Sequence, residues 1–115
     1  MSQVRYQSIS SDSEYAAASA QSRKEAVLIY KHSSQCELSA VAKEEMLRLS
    51  KSGDPPVYEV VVQTARPLSN RIEQALGIRH ESPQAILLKD EVPVFNTSHL
   101  GVTAGAVRKA VQELA

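Results

Sequence analysis

The sequence predicts a single α/β domain with a central mixed β-sheet flanked by helices. Three observations carry that expectation. Two nearly continuous apolar runs, Ala26 to Tyr30 (AVLIY) and Val57 to Val62 (VYEVVV), read as strands covered on both faces. Each is followed by a segment whose apolar residues recur at helical spacing. Beyond Ser82-Pro83 the order changes to two short apolar runs joined by a polar turn, a hairpin signal, and then a last helix.

Length and composition set the frame. A chain of 115 residues builds one core, so residues 1–115 are expected to form one domain. Thirteen basic residues balance thirteen acidic ones, which leaves no electrostatic footprint for nucleic acid or an anionic membrane surface. No apolar run approaches the about 20 residues that span a bilayer, and MSQVRYQSIS lacks the apolar core of a signal peptide. The single cysteine makes an internal disulfide impossible, and a reducing, cytoplasmic location is expected.

Taken in order, Arg5 to Ile9 (RYQSI) is a short candidate strand. Ser11-Asp12-Ser13-Glu14 matches the capping box, and the Ala-rich EYAAASAQS after it favours helix. AVLIY then reads as a central strand, most simply in a parallel pairing. After a polar loop, Leu38, Val41, Ala42, Met46 and Leu49 fall on one helical stripe expected to be buried. Ser52-Gly53-Asp54-Pro55-Pro56 turns the chain into VYEVVV. Arg66-Pro67 opens the next helix, with Leu68, Ile72, Ala75 and Leu76 as its inner stripe and Gly77 as its C-terminal cap. QAILL and VPVFN form the hairpin around Lys89-Asp90-Glu91, and Pro93 argues that its second strand lies at a sheet edge. Thr103 is the expected N-cap of a last helix with Val107, Ala110, Val111 and Leu114 on its inner face.

The chemistry concentrates at Cys36, delivered by an apolar strand and a polar loop to the start of a helix. Unsatisfied N–H groups and the positive end of the helix dipole favour a thiolate there. Such placement lowers a cysteine pKa from about 8.5 to roughly 3.5–7.5. Lys31 and His32 add positive charge upstream, whereas the carboxylate of Glu37 opposes ionisation. The bland alternative is a small buried core residue; the polar approach through His32, Ser33, Ser34 and Gln35 argues against it. Three residues on stands Ser39, so the stretch reads C-x-x-S. With no second cysteine, only a monothiol cycle is open: Cys36 takes a group from a mixed disulfide and an external thiol releases it.

Strand, thiol at a helix start, helix, strand, helix, X-Pro, hairpin, helix is the element order of a thioredoxin-like fold. In that fold the bond before the proline is typically cis and lies beside the thiol, so Ser82-Pro83 is expected to be cis, with its backbone free to pair with an extended substrate. Cis X-Pro is otherwise the minority form.

The segments KHSSQCELS, RPLSN, HESPQAILL and the Ser98-His99 of NTSHLG resemble, in that order, the YtxJ-like monothiol bacilliredoxins of the bacillithiol system. The resemblance runs from about Val27 through the last helix. It implies a cytosolic thioredoxin-fold enzyme that removes bacillithiol, or a similar low-molecular-weight thiol, from S-thiolated client proteins. Cys36 would be the attacking thiol, Ser39 would occupy the resolving-cysteine position, and Pro83 would be the cis-proline. No bound cofactor is implied, and the low-molecular-weight thiol is a co-substrate. The chain departs from the family pattern at Glu37, where relatives tend to carry proline.

The remaining candidates carry two readings each. Lys31 either receives a substrate carboxylate, as in glutaredoxin-like sites, or is a solvated lysine. Ser34 and Ser82 stand with Pro83 among the substrate contacts. Ser98 and His99 precede the last helix, where an anionic group of the thiol could be held, or are plain loop residues. Arg66, Ser69 and Asn70 serve their helix or the substrate. His32, His80 and His99 show no metal-ligand spacing, and no metal is expected. A non-catalytic interaction module and a single-cysteine redox sensor are the alternatives to an enzyme. The oligomeric state is left open.

Overall fold

The computed structural model describes residues 5–114. Its chain order is β1 (Tyr6–Ser8), α1 (Asp12–Gln21), β2 (Val27–His32), α2 (Glu37–Leu47), β3 (Val57–Val61), α3 (Arg66–Leu76), β4 (Gln84–Lys89), β5 (Val92–Ser98) and α4 (Ala104–Gln112), with a 3-10 turn at His99–Gly101 before α4. The five strands form one sheet in the order β1-β3-β2-β4-β5. β2 pairs parallel with β3 and antiparallel with β4, so the central strand is parallel on one side only.

Alternation along the strands divides the core in two. Leu28, Tyr30, Val57, Ala85 and Leu87 face one way, against Ala42 and Met46 of α2 and Ala104, Val107 and Ala110 of α4. Val27, Ile29, Val60, Ile86 and Leu88 face the other way, against Ala18 of α1 and Leu68 and Ile72 of α3. The result is a three-layer α/β/α sandwich with β2 buried on both faces, the environment that its apolar run calls for.

Local signals settle the element ends. Ser11 and Glu14 close the capping box of α1. Pro67 lies in the first turn of α3, and Gly77 ends that helix at φ 67°, ψ 25°. Thr103 caps α4 by accepting from the Ala106 N–H. Pro93 lies in β5, which among the described residues pairs with β4 alone, and a register irregularity falls opposite it between Leu87 and Leu88. The hairpin turn takes positive φ at both Asp90 and Glu91, without a glycine. Ser22, buried at the end of α1, steadies it: the Asp90 N–H donates to the Ser22 carbonyl and the Glu91 N–H to the Ser22 hydroxyl, both at 2.8 Å.

Two apolar stripes are narrower than the sequence predicts. Ala42 and Met46 of α2 and Leu49 just beyond it are buried, but Leu38 and Val41 are 37% and 58% exposed. In these first turns Ser39 and Ala42 are the residues turned inward, and Leu38 and Val41 are turned to solvent. On α4, Val107 and Ala110 are buried, whereas Leu114 lies beyond the last full turn and is exposed.

Candidate active site

β2 runs through the middle of the sheet to His32, and residues 33–36 carry the chain off its C-terminal end into α2. Cys36 is the N-cap of α2, with extended backbone at φ −114°, ψ 124°. Its thiol is free and partly exposed. No hydrogen bond caps the helix through the sulfur, but the first-turn dipoles act on it. The Ser39 N–H is the largest influence lowering the Cys36 pKa; partial desolvation opposes it, and the Leu38 N–H and Ser39 hydroxyl lower it further. Glu37 raises it, the opposition its position implies, and the net shift is downward from the ordinary cysteine value.

Ser39 is fully buried. Its Oγ accepts from the Ser33 N–H at 3.2 Å, which ties the loop to the helix. The loop is braced from the turn after β3: the Gln63 carboxamide accepts from the Ser34 N–H at 3.1 Å and donates to Ser33 Oγ at 2.8 Å. The Ser34 side chain itself is exposed.

Ser82-Pro83 is cis. Pro83 is buried and Ser82 half-buried. The Pro83 carbonyl accepts from the His99 N–H at 2.9 Å, and Gln84 lies opposite Ser98 in the β4–β5 pairing. The structure thus brings Ser82, Pro83, Ser98 and His99 together at one end of the hairpin. His99 is exposed, takes φ 55°, and has its ring 3.7 Å from Glu81. The 3-10 turn that follows packs against α2.

Lys31 is the correction. Alternation along β2 turns it to the α3 side of the sheet, where it is 0% exposed. Its Nζ donates to the Ser69 carbonyl at 3.1 Å and lies 3.2 Å from His80 Nδ1. Burial pushes its pKa down, against the pull of Glu73. It is neither a solvated lysine nor placed to receive a carboxylate from solution; it joins β2 to α3, as does Ser69. Among the described residues, no group of three or more His, Cys, Asp or Glu side chains is placed to hold a metal ion.

Four residues behind the thiol escape the sequence reading: Gln63, Tyr30, His32 as a structural partner, and Glu59. Only Glu59 left a signal, a carboxylate inside VYEVVV. It is 2% exposed and accepts from Tyr6 Oη at 2.6 Å and Ser8 Oγ at 3.0 Å, with Lys43 Nζ of α2 at 3.2 Å.

A three-layer sandwich with a thiol at the N-cap of α2 and a cis X-Pro before β4 defines a thioredoxin-fold thiol oxidoreductase. Solved structures share the fold. One described as an oxidoreductase with a thioredoxin fold superposes with TM-score 0.84 at 26% identity, covering 92% of this chain and 93% of that one. The thioredoxin of Malassezia sympodialis matches with TM-score 0.77 at 14% identity, over 98% of this chain and 93% of the other. A variant thioredoxin from Halobacterium salinarum gives 0.77 at 16%, over 95% and 89%. More narrowly, residues 7–107 match the model of the family Monothiol bacilliredoxin BrxC. The chain belongs to the monothiol bacilliredoxin family.

Proposed function

We propose that the protein removes bacillithiol, or a closely similar low-molecular-weight thiol, from cysteines of client proteins. The observation that carries this reading is the single thiol at the head of α2, favoured as thiolate and followed three residues on by a serine that cannot resolve a disulfide. The Cys36 thiolate attacks the low-molecular-weight sulfur of a client mixed disulfide. That S–S bond breaks, the client cysteine leaves as thiolate and takes a proton from water, and Cys36 now carries the adduct. A second low-molecular-weight thiolate attacks the adduct sulfur, freeing Cys36 and leaving as a symmetrical disulfide. No metal or organic cofactor enters either step.

The surroundings suit a polypeptide substrate. Leu38 and Val41 offer exposed apolar surface on the first turns behind the thiol, and an extended client segment can pair with the backbone at Ser82. To Ser98 and His99 this reading assigns the contact with an anionic group of the small thiol. The reading places the protein in a reducing, cytoplasmic compartment.

Intact mass spectrometry on an S-bacillithiolated client tests the reading. The adduct is expected to move from client to Cys36 and then to be discharged by free bacillithiol. A client that keeps its adduct, or that a Cys36→Ser variant clears equally fast, refutes it. A parallel glutathionylated client tells which thiol is preferred.

A further inference from the structure

Behind Cys36 lies a hydrogen-bonded chain that the transfer reaction does not itself require. Tyr30 on β2 is fully buried, yet its hydroxyl reaches two polar atoms: the Ser39 carbonyl at 2.9 Å and His32 Nδ1 at 2.8 Å. A carbonyl only accepts, so the one phenolic proton goes to Ser39. The His32 contact is then satisfied only with the proton on His32 Nδ1, donated to the Tyr30 oxygen. The tautomer and the direction of both hydrogen bonds follow from counting protons.

Ser39 is consequently gripped at both ends. Tyr30 holds its carbonyl from the sheet, and the Ser33 N–H occupies one lone pair of its hydroxyl, leaving the hydroxyl proton free to turn toward Cys36, whose pKa the hydroxyl lowers. Its N–H also donates to the Cys36 carbonyl at 3.1 Å, which fixes the first turn against the loop. We infer that Tyr30, oriented by His32, is a positioning residue for the thiol: by clamping Ser39 it holds the N–H groups and hydroxyl of the first turn of α2 on the Cys36 sulfur. The charged or titratable groups around the clamp and the thiol are Glu59 from β3, Lys43 and Glu37 from α2, His32 from β2 and Cys36 itself. Lys43 and Glu59 pair with one another, so the net field of that pair on the sulfur is small. The clamp acts through geometry instead. α2 keeps independent anchorage through that pair and through Ala42 and Met46, so loss of one hydroxyl leaves the helix in place.

The inference rests on Cys36 reacting as a thiolate. Its test uses neither client nor bacillithiol, so it can fail while the transfer reaction stands, and the reverse. Tyr30→Phe keeps the ring and deletes only the hydroxyl. Iodoacetamide alkylation of Cys36, followed across pH with the 240 nm thiolate absorbance, is the measurement. In Tyr30→Phe the rate near the acid end of the titration is expected to fall about threefold, the thiolate titration to move to higher pH, and the two rates to converge at alkaline pH. His32→Leu should reproduce the effect in part, and His32→Asn, which retains a donor near Nδ1, should restore it. A purely structural role would lower the melting temperature and leave the thiolate titration where it is. That outcome in folded Tyr30→Phe, or a loss of rate equal at all pH values, overturns the inference.

Discussion

Residue 37 tempers the acidity that the first turn of α2 gives this thiol. The first turn of α2 favours the thiolate through the Ser39 and Leu38 N–H groups and the Ser39 hydroxyl, while Glu37, adjacent in sequence and exposed, works against them. Glu37→Gln should speed alkylation of Cys36 near pH 6 by roughly 1.5-fold to fivefold, an effect that salt diminishes. An unchanged rate at low ionic strength would show that the charge is fully screened from the sulfur. The opposition of Glu37 was legible in the sequence because it needs only adjacency. Lys31 was not. Its part depends on which face of β2 it occupies, and a buried lysine bonded to a carbonyl and a histidine leaves no trace in the order of residues. Tyr30 and Gln63 escaped for the same reason, since the Ser39 carbonyl lies 9 residues from the one and the Ser33 hydroxyl 30 from the other.

At the scale of elements, what was legible followed local rules. The capping box at Ser11, the proline in the first turn of α3, the Thr103 cap and the edge strand carrying Pro93 each depend on neighbours a few residues apart. The buried stripes of α2 and α4 were overdrawn, because periodicity says which residues share a face and not where the sheet beneath that face ends. Two glycines separate conformational from steric demand. At Gly77 the backbone is left-handed and a Cβ would meet nothing within 4 Å, so Gly77→Ala should cost about 1–2 kcal/mol through φ alone. At Gly101, φ is not the issue; a Cβ there would overlap Thr97 Oγ1 across the turn that follows His99. Gly101→Ala should therefore destabilise by about 1–3 kcal/mol, with Thr97→Ala in the same chain recovering much of the loss. Urea denaturation of the two single variants and the double variant checks both statements. A Gly101→Ala chain that Thr97→Ala does not relieve would place the demand elsewhere than in that contact.

Across the whole molecule, buried ionisable groups tie the two helices of the thiol face to the sheet and loops, and they predict how stability depends on pH. Asp54, before β3, accepts from Arg108 of α4 at 3.1 Å, and Arg108 also donates to the Arg48 carbonyl at the end of α2 at 2.8 Å. Glu59 joins β1, β3 and α2 through Tyr6, Ser8 and Lys43. Burial pushes both carboxyls up, but Arg108 and the Lys51 N–H outweigh it at Asp54, and Tyr6, Ser8 and Lys43 outweigh it at Glu59, so both finish below the usual carboxylate range. A group depressed on folding binds fewer protons in the native state, so its contribution is complete above the unfolded pKa of about 4 and is lost as pH falls through the folded value. His32 and His80 are held low chiefly by burial and follow the same sign in a higher window, beginning near the unfolded histidine value of about 6.5. Stability should accordingly fall in two stages on acidification, one from about pH 6.5 and a steeper one below about pH 4. Glu59→Gln keeps the shape but loses the charged acceptor, so it should cost roughly 2 kcal/mol at pH 7. Because acid takes the same charge from the parent chain, the gap between the two proteins should shrink as pH drops below about 4. Urea unfolding of both chains at intervals from pH 8 to pH 2 measures that gap directly; a gap of constant size would mean that Glu59 contributes by packing and not by its ionised carboxylate.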